Sequence, residues 1–208
     1  MLALEVLLAV SLLMVCGFGS GFFLVRRLGW TPMEKLCGSI GASLIICYLV
    51  FVAAYLLGPK GTGVSGRALA GSSAGSAALL VLCRRDLVSL LHSTRVRQTL
   101  KGFSFLAVWT LLILTVIRNY SGANWFGDWL EHFQRSLFFL DRFPGDSPIV
   151  FGYQLPARPP AMNELAAFFL AQTRDRFEIF QVIFTLLNLL IFFPCCLIIS
   201  SMDGPSFS

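Results

Sequence analysis

Four residues in the second half of the chain have the types and spacing that acid–base chemistry needs. Asp128, Glu131, His132 and Arg135 fall at i, i+3, i+4 and i+7, so in a helix they share one face. A carboxylate on that face can take a proton from a hydroxyl as general base. An imidazole or guanidinium beside it can offset charge on a leaving phosphate. The same residues also have a plain structural reading. Gly127-Asp128 is a helix start with Asp128 as cap or first-turn residue, and His132 is then a hydrogen-bonded interfacial side chain. Trp125 and Trp129 are interface anchors in that reading. Further on, Arg158 precedes Pro159-Pro160 and can meet a phosphate or a lipid headgroup. One Asp, one Glu and one His on a helix face are too few ligands to define a metal site.

These residues lie in the segment 118–178, which is much longer than a connector between neighbouring helices needs. Leu130, Phe133, Leu137 and Leu140 recur at helical spacing beside the acid–base face. The pattern predicts a helix lying in the membrane interface, apolar side in lipid and charged side towards water. Phe143 to Pro148 is a turn cluster. The proline pair cannot continue a helix and fixes the approach to a second one, expected from Asn163 to Arg174.

The rest of the chain must hold that segment in place, and its composition says how. The 208 residues are 56% hydrophobic and only 13% charged, against about 25% charged in a soluble domain. The apolar residues come in blocks, predicted as spans from Leu2 to Val25, Leu36 to Leu57, Val64 to Cys83, Phe103 to Ile117 and Ile179 to Ile199. The fold class is therefore all-α integral membrane, with about five crossings at roughly 20 residues each. The outward loop is expected to carry two interfacial amphipathic helices. Span three is rich in Gly, Ala and Ser, which lets helix backbones approach closely inside a bundle. The first span lacks the basic start and short core of a secretory signal, so it is expected to stay in the protein.

The net charge of +5 is not a nucleic-acid signature, because the basic residues sit in short clusters between apolar blocks. Arg26, Arg27 and Lys35 follow span one, and Arg84, Arg85, Arg95, Arg97 and Lys101 follow span three. Both clusters fall on one side, which the positive-inside rule makes cytoplasmic. The N-terminus and the loop 118–178 then face outward. Residues 84–101 read as a basic amphipathic segment on anionic cytoplasmic lipid. Cys16, Cys37, Cys47, Cys83, Cys195 and Cys196 all lie in or at the ends of spans and read as packing residues.

The order of basic segment, span, Gly-Asp-Trp-x-x-His, amphipathic helix, Pro-Pro and second helix resembles the GT-C superfamily of membrane glycosyltransferases. The likeness is greatest to the branch of protein mannosyltransferases and bacterial lipid-A or polysaccharide sugar transferases. It covers residues 100 to 200, and Asp128 matches the family's essential acidic residue after a span. Pro159 and Pro160 match its proline pair; His132 and Arg158 match less closely. Many relatives have adjacent Asp-Glu, whereas Glu131 here lies one helical turn later, so the acid's role falls to Asp128 alone or is shared.

The resemblance implies sugar transfer from a polyprenyl-phosphate donor to a glycan, lipid or protein acceptor, with Asp128 as general base and Glu131 as alternative. It implies that His132 and Arg158 meet the donor phosphate. Some relatives use a divalent metal and others none. It divides the chain into three N-terminal spans (1–83), the basic segment (84–101), the start of a GT-C-like module (102–201) and a tail (202–208). Family members carry many more spans, so the resemblance implies an N-terminal portion that is inactive alone. The short connecting loops suggest a bacterial inner membrane. Two other classes compete, a transporter component and a non-catalytic assembly protein. The first is disfavoured by spans almost free of midplane charge.

Overall fold

The computed structural model describes residues 2–59, 62–116, 125–144, 147 and 161–202, and the side chains of 125–128 lie outside that description. Among the described residues all regular secondary structure is helical, with no strand. Helix α1 (Leu2–Cys16) and α2 (Gly19–Val25) form one apolar rod, followed by α3 (Pro32–Leu57). A capping box starts α3: the Thr31 side chain accepts from the Glu34 amide, and the Glu34 carboxylate accepts from the Thr31 amide. Then come α4 (Gly66–Leu82), α5 (Arg84–His92) and α6 (Thr94–Val116). Helices α7 (Trp125–Asp141) and α8 (Ala161–Leu170) precede α9 (Phe177–Leu189) and α10 (Phe192–Met202).

Among the described residues four stretches are long and apolar enough to cross a membrane: Leu2–Val25, Pro32–Leu57, Thr94–Val116 and Phe177–Met202. Their outer surfaces are apolar. Along α6, Phe105, Val108, Trp109, Leu112 and Val116 are all exposed, as lipid-facing side chains are. The expected third span is a shorter helix, the 17 residues of α4. Its small residues bring backbones together: a Cβ on Gly19 would meet the Ser76 carbonyl, and the Cys16 thiol donates to Ser73 Oγ at 3.1 Å. Gly21 lies as close to α3, where its amide donates to Ser43 Oγ at 2.8 Å.

The bundle has two distinct ends. At the basic end Arg26 pairs with Asp86 at 3.3 Å, and the Thr99 hydroxyl reaches Met33 Sδ. At the loop end Glu5 pairs with Arg174 at 3.1 Å and Arg176 at 3.6 Å, and the Val64 amide donates to Leu140 O. Helix α4 runs from one end to the other: Gly66 abuts Ala171, while Cys83 leads directly into Arg84.

Two expectations about segment boundaries change. The basic segment 84–101 is not one helix: α5 stops at His92, and Thr94 starts α6, which runs unbroken into the span. Ser93 has extended backbone, ψ 124°, so the chain turns there. The second loop helix begins at Ala161 and ends at Leu170, after which Gln172 and Thr173 amides close the last turn onto Phe169 and Leu170 carbonyls.

Candidate functional site

Helix α7 does not lie with one face in water. Its apolar stripe is covered, with Phe133 and Leu140 buried and Leu130 and Leu137 half-buried. Its polar face is covered too: Arg135 is 5% exposed and Ser136 fully buried. The reason is that α8 and α9 pack around it. Trp129 meets Phe180 and Phe184 edge-on, with centroids 6.2 and 5.9 Å away, and Phe133 meets Phe177 at 5.6 Å. Helix α8 is likewise inside the bundle rather than at an interface. Asn163, Glu164 and every residue from Ala166 to Leu170 are buried.

The polar residues of α7 and α8 consequently form an interior cluster. Arg135 and Glu131 make an ion pair one helical turn apart, both shielded from solvent. His132 Nδ1 meets Asn163 Oδ1 at 3.2 Å, and its ring stacks on Phe184, centroids 5.2 Å apart. With the amide oriented this way Nδ1 carries the hydrogen of that contact. Ser136 Oγ donates to the His132 carbonyl at 3.0 Å. Beside Asn163, the Glu164 carboxyl is 8% exposed and accepts from the Tyr48 hydroxyl of α3. Burial pushes that carboxyl above the usual range, and the Tyr48 hydrogen bond offsets part of the rise. Glu164 Oε2 and Arg135 Nε have no hydrogen-bond partner among the described residues.

The predicted residues divide accordingly. Glu131 and His132 belong to the cluster, each already engaged. Asp128 falls in the first turn of α7, three residues before Glu131, with its side chain outside the described residues. Arg158, Pro159 and Pro160 also lie outside them. Tyr48, Asn163 and Glu164 were not singled out by the sequence reading. The available signal was Asn163-Glu164 heading an otherwise apolar helix, where polar residues must find partners. Among the described residues no group of three or more His, Cys, Asp or Glu side chains could hold a metal ion.

A separate cavity of about 680 Å³ opens at the other end of α8, between α1, α4 and residues 171–173. Leu8 and Leu12 line one wall, and Arg67, Ser73, Gln172 and Thr173 bring polar groups. Ser73 Oγ donates to Gln172 Oε1 at 2.5 Å. Beyond the cluster, α7 is tied to α3 by Arg142. Its guanidinium donates to the Ala54 carbonyl and, at 2.6 Å, to that of Pro59, and lies over the Tyr55 ring.

No protein-family model, curated protein or solved structure matches this chain.

Proposed function

We propose that the protein is a membrane glycosyltransferase that moves a sugar from a polyprenyl-phosphate donor to an acceptor hydroxyl at the outer membrane face. The basic end lies in the cytoplasm, and α4 completes five crossings. The N-terminus and the loop end are outside, in a bacterial inner membrane. Asp128 is the general base. The observation that carries this reading is the polar interior at the loop end, where α7 places Glu131, His132 and Arg135 against Asn163 and Glu164 of α8. A charged cluster inside an otherwise apolar bundle is costly and accumulates at functional sites. Because Glu131 is committed to Arg135, the base role moves towards Asp128, one turn nearer the helix start. Arg158 is assigned to the donor phosphate, and so is His132 in its imidazolium form, whose Nε2–H donates.

The test compares sugar transfer in membranes by the complete protein and its Asp128→Asn form, over a panel of polyprenyl-phosphate donors. Asparagine keeps the shape of the side chain but is no base. Transfer should fall by about 10²–10⁴-fold with normal insertion. Unchanged transfer removes Asp128 from the mechanism and passes its role to Glu131.

The buried Glu164 carboxyl against Tyr48 favours a second reading, a transporter component, since ionisable groups inside a bundle mark ion paths. Absence of transfer with every donor, together with substrate uptake lost in Glu164→Gln, would decide for it.

A further inference from the structure

We propose that the basic end of the bundle holds one anionic glycerophospholipid, with an acyl chain inside the protein and the phosphate among arginines of α5 and α6. A cavity of about 210 Å³ lies there, between the α1–α2 rod, α3, α5, α6 and the α9–α10 junction. Leu13, Ile40, Phe103 and Phe193 form its buried wall. Met14 and Leu91 also line it yet are 59% and 42% exposed, so the cavity opens between them onto the lipid-facing surface. Among the described residues no polar side chain lines it. An apolar cavity of about 150 Å³ stays dry and admits benzene, so this one suits a run of methylenes rather than water. It is too small for a helix, which is about 10 Å across.

Charge selects the headgroup. Arg84 stands one helical turn before Leu87, and Arg97 one turn before Leu100, and both leucines line the cavity. Arg84, Arg85, Arg95, Arg97 and Lys101 are exposed and make no ion pair among the described residues. The single carboxylate of α5, Asp86, is taken by Arg26. A basic rim beside an apolar opening fits an amphiphilic anion: the rim alone would attract any anionic surface, and the cavity alone any acyl chain. Their adjacency adds a stoichiometric site to a surface attraction. This holds whichever chemistry the loop end performs.

The experiment is native mass spectrometry of the full chain in mild detergent, titrated with phosphatidylglycerol, phosphatidylethanolamine of the same chains, and glycerol phosphate. One phosphatidylglycerol should be retained, at a concentration about tenfold below that needed for phosphatidylethanolamine, and glycerol phosphate should not bind. Arg84→Gln with Arg97→Gln should bring the two lipids to equal affinity. Met14→Trp, which plugs the mouth from an exposed position, should weaken both. Equal retention of both lipids by the unmutated chain overturns the headgroup site. Unchanged lipid binding by Met14→Trp, or glycerol phosphate binding as tightly as the lipid, overturns the acyl-chain site.

Discussion

The two ends of this bundle solve the same problem in opposite ways. The basic end keeps its cavity wall apolar and most of its charges outside: Arg84, Arg85, Arg95, Arg97 and Lys101 are exposed and Asp86 is 55% exposed, while Arg26, paired with Asp86, is 12% exposed. The loop end takes charges in: Glu131, Arg135 and Glu164 all lie against packed aromatic rings or apolar helices. Desolvating an ion pair costs about as much as its attraction returns, so apolar side chains of similar volume serve stability at least as well. A bundle shaped only for stability would therefore look like the basic end throughout. The loop end departs from that pattern, and the departure is what marks it as the candidate site.

The contrast breaks most visibly at Arg135. Arg135→Met leaves Glu131 desolvated without its partner, and the loss of stability should be about 3–5 kcal/mol. Adding Glu131→Gln to that variant should recover most of it. Unfolding of the purified variants in mixed micelles measures both, and a single-variant loss below about 1 kcal/mol would mean the pair is solvated.

A smaller effect should appear at Glu164. Its carboxyl titrates above the ordinary range, so folding favours the protonated form. Its contribution is then intact below the unfolded carboxyl value and erodes as pH rises through the raised one. Stability of the unmutated protein should fall over that window, and Glu164→Gln should flatten the fall. A curve of the same slope in both proteins would refute the assignment.

The smallest effect belongs to the basic end. Asp86→Asn removes a pair whose carboxylate is half-exposed, and Arg26 keeps its bond to the Phe23 carbonyl, so stability should change by no more than about 1 kcal/mol, less at high salt. A large loss there would erase the difference between the ends.

Helical periodicity made the apolar stretches legible, and four of the five predicted spans coincide with long apolar helices. It also gave the shared face of Glu131, His132 and Arg135, because i, i+3 and i+4 geometry is a property of the chain itself. What it could not give was the neighbour. A stripe of Leu130, Phe133, Leu137 and Leu140 beside a charged stripe is the pattern of an interfacial helix. The same pattern serves a helix covered on both sides when partners bring Asn163 or an aromatic ring to the polar one. Glu164 was hidden for the same reason, since its partner Tyr48 lies on α3, over a hundred residues earlier in the chain. The break at Ser93 was masked because basic residues continue across it from Arg84 to Lys101.

Arg142 adds a matter of timing. It adopts a left-handed backbone, φ 55°, where the Phe143 amide closes the end of α7 onto the Phe138 carbonyl. From there its side chain satisfies carbonyls at the end of α3 and occupies the space a Cβ on Gly58 would need. The Ala54 carbonyl, which already accepts from the Gly58 amide, thus gains a second donor from a residue synthesised 88 positions later. At roughly 5–20 residues per second, that end waits about 4–18 s during translation before the guanidinium arrives. Until then the Pro59 carbonyl lacks its Arg142 donor, and the emergence of the residue that ends α7 adds a link between the first half of the protein and the second.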